Sequence, residues 1–204
     1  KDIHSNKIDN RYFIPTNSWK WLTNEKRFLT QVDKIKNLIA SGDIFQANLS
    51  TCCTTEIPIG LEAIEIFNRL RTQCPAPFSA FISGSSEAAG EIILSSSPER
   101  FLKVLPNGEV ETRPIKGTRP RDPDPIKDAE LAADLICSIK DRAENIMIVD
   151  LLRNDLGKVC KPGSIKVSQL VGLETYAKVH HLTSVINGSL KSSKGWVDVL
   201  ESCW

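Results

Sequence analysis

The stretch RFLKVLPNGEVETRPIKGTRPR, residues 100–121, decides the fold that the sequence predicts. Two predicted strands, 100–106 and 109–115, flank the pair Asn107-Gly108. Asn-Gly is the pair favoured in a two-residue β-hairpin turn, because both residues tolerate a positive φ. The stretch therefore predicts an antiparallel hairpin, and the lysine of its PIKGT segment is expected directly after the second strand.

Helices and strands surround this hairpin in clusters. Apolar residues recur at helical spacing over 25–40, and Gly42 is suited to a left-handed cap after that helix. Asp124 and Pro125 are typical of a helix start. Further predicted elements are strands over 44–57, 78–83, 89–97, 164–171 and 177–190, a helix over 60–71, one long or two broken helices over 124–157, and a terminal helix. Such clustering, without strict alternation, favours the α+β class.

Composition excludes several classes of function. The chain has 204 residues, of which 41% are hydrophobic and 25% charged, as in an ordinary globular protein. A net charge of +1 predicts neither nucleic acid nor a membrane surface as a partner. The six cysteines show no metal-type or redox-type spacing, and they favour a reducing compartment with free thiols.

Lys116 is the first candidate for chemistry. Pro114 fixes the backbone before it, and Ile115 and Gly117 are its apolar and small neighbours. Burial and nearby cations both favour the neutral form of a lysine amine, and a neutral amine is a nucleophile. A solvated cation in a basic loop explains the same residues equally well, so the local sequence leaves both readings open.

Carboxylates form the second group of candidates. Glu99 could serve as a general acid, or it could form a salt bridge with Arg100 or another surface base. Asp141 and Glu144 are spaced i, i+3 on one face of a predicted helix, a spacing that can offer two oxygens to Mg²⁺. A solvated helix with many ion pairs is the ordinary alternative. The nearly apolar run 146–152 predicts that this part of the helix is buried.

The histidine pair His180-His181 lies in a predicted strand. Successive strand residues point to opposite faces, so at most one of the two rings faces any one site. A lone strand histidine is more often a hydrogen-bonded structural residue than a catalytic one.

Five segments in this order carry a resemblance to a known family: SGDIFQANLS, SSSPERF, RPIKGTRPR, AENIMIVDLLRNDLGKV and YAKVHHLTSVINGSL. Together they resemble component I of the chorismate-utilising enzymes, over about 28–204. The resemblance implies antiparallel β-sheets packed together and surrounded by helices. It also implies that the chain is a fragment, with 1–24 a linker or tail of a preceding region and 25–204 a catalytic domain without its C-terminal part. Such a fragment is expected to bind Mg²⁺ and chorismate poorly.

The resemblance also implies a reaction: Mg²⁺-dependent replacement of the chorismate 4-hydroxyl by ammonia. Lys116 matches the lysine that adds to C2 of the ring, and Glu99 matches the acid that protonates the departing hydroxyl. Glu144 matches a Mg²⁺ ligand, with Asp141 near the metal. The product is 4-amino-4-deoxychorismate, the precursor of para-aminobenzoate and folate.

Three more residues match the family's substrate pocket: His181 beside the substrate ring, and Gly117 and Thr118 in the turn that lines it. Anthranilate-forming relatives have alanine where Lys116 stands, so Lys116 favours the para-aminobenzoate branch. Asn145 departs from the pattern, because many relatives have histidine there. The implied partner is a glutamine amidotransferase, fused or separate, that supplies ammonia, and the expected location is the cytoplasm or a plastid. The alternatives are anthranilate synthesis and a non-catalytic binding module of the same fold.

Overall fold

The structure, a computed structural model, describes residues 14–84 and 90–204. The described residues form two compact units, which lie within Lys1–Gln73 and Cys74–Trp204. The first contains β1 (Lys20–Trp21), α1 (Glu25–Ser41), β2 (Cys53–Thr54) and α2 (Ala63–Gln73). The second contains β3 (Phe78–Ser83), β4 (Ile92–Ser97), β5 (Arg100–Val104), β6 (Glu109–Arg113), β7 (Ile115–Pro120), α3 (Pro125–Cys137), α4 (Ile139–Val159), β8 (Lys166–Thr175), β9 (Val179–Ser189) and α5 (Trp196–Cys203).

The first unit confirms the predicted helix and corrects the predicted strand. Asn24 caps α1 by accepting from the Arg27 N–H, and Gly42 ends the helix at a φ of 82°. The strand predicted over 44–57 is wrong except at β2, which pairs with β1 over two residues. A strand needs a neighbour to satisfy its backbone groups, and among the residues that the structure describes this segment has only that two-residue partner.

The second unit is built on a five-stranded antiparallel sheet in which β9 is central. β6 and β7 pair with successive parts of β9, and β8 also pairs with it. The predicted strand over 109–115 is interrupted at Pro114, because proline has no N–H to give to a ladder. Its carbonyl still accepts from the Ser184 N–H of β9 at 3.1 Å. β3 and β4 form a separate antiparallel pair, and Ala89 of the predicted strand 89–97 lies outside the described residues.

Helices α3 and α4 pack on the sheet through β7 and β9. Asp124 caps α3 as predicted, with proline in the first turn. Ser138 separates the two helices and caps α4 by accepting from the Asp141 N–H, so the long predicted helix is two helices. α4 continues through Gly157 to Val159, two residues beyond the predicted end.

One hydrophobic cluster joins α4, α5 and the sheet; its buried members are Val110, Val149, Leu152, Leu156, Val159, Cys160, Ile186, Leu190 and Val199. The prediction that 146–152 is buried is wrong for three of these seven residues, Ile146, Asp150 and Leu151, which are exposed. Ile146 is 41% exposed and Leu151 is 54% exposed, because only one face of α4 packs on the sheet. Asp150 pairs with Arg153 at the surface.

The observed architecture confirms the α+β prediction. The division of the chain at residue 24 into a linker and a catalytic part stays a prediction. Across the two described ranges, no helix combines the length and apolar character needed to cross a membrane.

Candidate active site

Lys116 lies within β7, one residue after its start, and not beyond a strand as the sequence predicts. Ile115 pairs with Thr183 and Thr118 pairs with His181. Lys116 and Gly117 are therefore two residues opposite the single residue between those partners, which makes a β-bulge. Gly117 has a φ of 84°, a left-handed conformation that glycine adopts without steric cost.

The bulge places β7 against the N-terminal part of α4. Lys116 Nζ lies 3.7 Å from Glu144 Oε1, and the side chains are 26% and 32% exposed. Lys116 is thus a half-buried cation beside a half-buried carboxylate, not the solvated loop cation of the alternative interpretation. A Cβ on Gly117 would lie 2.8 Å from Asp141 Cβ, so only glycine lets β7 approach the helix this closely.

Asp141 shares the helix face of Glu144 but has a different partner. Its Oδ2 lies 3.4 Å from Arg119 Nη2, and Arg119 also donates to Asp134 at 2.7 Å. These two carboxylates raise the pKa of Arg119, chiefly through the hydrogen bond to Asp134. The structure therefore brings Glu144 to Lys116 and Asp141 to Arg119, two neighbouring ion pairs between β7 and α4.

Glu99 reaches the same strand from the segment before β5. Its Oε1 accepts from the Ile115 N–H at 2.6 Å, which places the carboxyl beside the backbone that carries Lys116. The alternative pairing with Arg100 is not what the structure shows, because Arg100 pairs with Glu111 across the β5–β6 hairpin.

His181 lies on β9 beside the bulge. Its Nδ1 is 2.8 Å from Thr118 Oγ1, and its side chain is buried. Burial lowers the pKa of His181, because it disfavours the charged ring, and the Gly117 backbone and the carboxylates of Glu99 and Glu174 oppose part of that shift. The imidazole is therefore neutral at pH 7, with a pKa below its usual value of about 6.5.

His180 points to the opposite face of β9, as expected from strand alternation. Its Nε2 lies 2.9 Å from Asp128 Oδ1 on α3. Only His181 therefore faces the bulge.

Asn145 supports the site by joining α4 to β9, a role that the sequence alone did not indicate. It is fully buried, donates to the Leu182 carbonyl at 3.0 Å, and accepts from Ser184 Oγ at 2.5 Å. These bonds tie α4 to β9 one residue from Glu144. An amide on a helix among apolar neighbours is the signal that could have indicated it, since a buried amide needs partners.

The carboxylates on α4 suit a magnesium ion. Mg²⁺ is bound by one or two protein carboxylates while the remaining positions go to water and substrate oxygens. Glu144 and Asp141 offer such a pair on one helix face, and both carboxylates keep oxygens that no described side chain occupies. Within 14–84 and 90–204, no cluster of three or more candidate ligands occurs, so protein ligands in this part of the chain would not complete the shell.

Comparison with known proteins agrees with this geometry. A sequence model of the chorismate binding enzymes matches residues 5–204, and the chain belongs to that enzyme family. It is 43% identical over 164 residues to an aminodeoxychorismate synthase of Streptomyces pristinaespiralis, covering 80% of this chain and 22% of that protein. It is 41% identical over 192 residues to aminodeoxychorismate synthase component 1 of Salmonella typhimurium, covering 94% and 41% respectively.

Among solved structures, anthranilate synthase component I from Streptococcus pneumoniae superimposes with a TM-score of 0.77 at 30% identity, over 91% of this chain and 39% of that one. The chain therefore spans well under half the length of these relatives. The family and the fold are shown by these similarities.

Proposed function

We propose that this chain is the part of an aminodeoxychorismate synthase component I that contains the nucleophile, Lys116. The observation that carries the proposal is the position of Lys116: its amine lies in a β-bulge 3.7 Å from Glu144, within a strand that also contacts Glu99 and His181. The relatives with this name support the branch.

Lys116 is proposed as the nucleophile. The Lys116 ammonium must first give up a proton to a base, and the free amine then forms a bond to C2 of chorismate while the ring double bonds shift and the C4–O bond breaks. Glu99 supplies the proton with which the 4-hydroxyl leaves as water. Because Glu99 Oε1 is occupied by the Ile115 N–H, Oε2 is the oxygen free to carry that proton. Ammonia then adds at C4, and the C2–N bond breaks to return the amine to Lys116.

The surrounding residues are proposed to bind and orient the substrate. Neutral His181, fixed by Thr118, offers a ring edge to the substrate without adding charge. Gly117 allows close approach of the strand to α4. Glu144, with Asp141 beside it, would hold Mg²⁺, which when bound neutralises carboxylate charge on the substrate.

The ammonia is proposed to come from a glutamine amidotransferase, separate or fused, and the location to be cytoplasmic or plastid. Both proposals rest on the family resemblance.

The decisive experiment assays products in the complete enzyme with chorismate, Mg²⁺ and ammonium. The proposal predicts aminodeoxychorismate from the wild type, and loss of that product in Lys116→Ala. Lys158→Ala is a matched control, because Lys158 also pairs with a carboxylate on α4, at 2.8 Å from Asp155, but away from the bulge. It should retain activity.

Other outcomes decide against the proposal. Anthranilate as the wild-type product would place the enzyme in the other branch. Chorismate binding without turnover would favour the binding module. Turnover that persists after chelation of Mg²⁺ would remove the role given to Glu144 and Asp141.

A further inference from the structure

A network of polar side chains that the proposed mechanism does not use lies on the face of β9 opposite to His181. Asp128 of α3 accepts from Arg121 Nε and Nη2, both at 2.8 Å, and from the Asp122 N–H at 3.0 Å. His180 is 3% exposed and places Nε2 2.9 Å from the same carboxylate. The hydrogen bonds from Arg121, above all, hold the pKa of Asp128 well below its usual range, so its charge persists throughout the physiological pH range.

This network reaches the hairpin tip, residues 175–179, where β8 turns into β9. Arg121 Nη1 donates to the Tyr176 carbonyl at 2.9 Å, and the Arg121 N–H donates to the Lys178 carbonyl at 3.1 Å. His180 Nδ1 lies 2.9 Å from Thr175 Oγ1. With the His180 proton on Nε2, the ring donates to Asp128 and accepts from Thr175, so every partner is satisfied.

The hairpin tip places the ring of Tyr176 against the ring of His181. The two rings lie 5.8 Å apart at 60°, an edge-to-face contact. The Tyr176 hydroxyl donates to Glu174 Oε2 at 2.7 Å, and Glu174 pairs with Arg113 at 2.5 Å. Between the hairpin tip, His181 and three prolines lies a cavity of about 80 Å³.

We propose that Arg121, Asp128 and His180 are positioning residues that hold the hairpin tip in place and thereby keep Tyr176 over the ring of His181. An arginine bound to a carboxylate through two nitrogens has a fixed orientation. The Nη1 group of Arg121 then holds the Tyr176 carbonyl, and its backbone N–H holds the Lys178 carbonyl. The role deepens the proposed function, because it depends on His181 belonging to the substrate pocket. Its consequence is that the hairpin tip shields His181 from water.

Histidine NMR tests this without any turnover, so the outcome is independent of the proposed reaction. The titration of His181 is followed in the ¹⁵N-histidine-labelled protein, assigned with His181→Gln. Arg121→Lys keeps the positive charge but loses the two-nitrogen contact, and Thr175→Val removes one link of the hairpin tip without any change of charge. Both variants should move the His181 titration upward, toward about 6.5, as water reaches the ring.

Two controls separate positioning from general loss of stability. Val199→Ala removes methyl groups from the hydrophobic cluster on α5, so it lowers stability without touching the hairpin tip. Arg153→Lys changes a surface arginine paired with Asp150. Neither should move the His181 titration. The proposal is overturned if Arg121→Lys and Thr175→Val leave the titration in place, or if Val199→Ala moves it as far as they do.

Discussion

Gly117→Ala tests the close contact between β7 and α4 on which the candidate site depends. The glycine has a φ of 84°, and a Cβ there would lie 2.8 Å from Asp141 Cβ and 3.0 Å from Leu135 Cδ1. Asp141 Cβ is joined directly to the helix backbone, so it cannot move aside as the end of a long side chain could. The substitution must push strand and helix apart.

The expected cost has two parts. A left-handed conformation costs a non-glycine residue about 1–2 kcal/mol, and forcing an extra carbon into a packed site costs about 1–3 kcal/mol. The free energy of unfolding should therefore fall by about 2–5 kcal/mol. Gly163→Ala is the matched control, because Gly163 has a φ of 74° but no atom within 4 Å of the added Cβ. It carries only the conformational part, so the difference between the two variants isolates the contact, about 1–3 kcal/mol.

Urea unfolding followed by circular dichroism measures both variants. The reasoning predicts a clearly lower midpoint for Gly117→Ala than for Gly163→Ala, with similar slopes. Equal losses for the two variants would refute it, because they would show that β7 and α4 do not approach as closely as the structure indicates.

Two further predictions concern the support of the site. Asn145→Ala should lower the free energy of unfolding by about 2–4 kcal/mol, because the buried Leu182 carbonyl loses a donor and the buried Ser184 hydroxyl loses its acceptor. Asn107→Ala loses one exposed turn bond and should cost less than about 1 kcal/mol. Equal costs for the two variants would contradict the buried role of Asn145. The lowered pKa of His181 means that below about pH 6.5 the unfolded chain takes up a proton that the folded chain does not. Stability should therefore fall as the pH drops below that value, and this part of the fall should be missing in His181→Gln; identical pH profiles would contradict it.

Local signals in the sequence were enough for the elements whose ends are set locally. The caps at Gly42 and Asp124, and the hairpin turn that contains Asn107 and Gly108, are set by single residues, and the structure has each of them. The interruption of the predicted strand 109–115 at Pro114 was not predicted, although the missing N–H of proline explains it. The strand predicted over 44–57 failed because β-branched residues do not create a partner strand, and partners are set by the tertiary fold.

The candidate site was predictable as a set of residues but not as a geometry. Family motifs indicated Lys116, Glu99 and Glu144, while the bulge that places Lys116 beside α4 depends on how β7 pairs with β9. Periodicity alone could not show that register. Nor could it show the contact with His181 of Tyr176 in the hairpin tip that Arg121 bonds.

The most direct test of the central claim is mass spectrometry of the complete enzyme incubated with chorismate and Mg²⁺ but without ammonia or glutamine. Covalent attack by Lys116 predicts an adduct with the mass of chorismate less one water on the peptide that contains Lys116. Adding ammonium should remove the adduct and release aminodeoxychorismate. A wild-type enzyme that forms aminodeoxychorismate while no adduct appears at Lys116, under rapid quenching, would contradict the account.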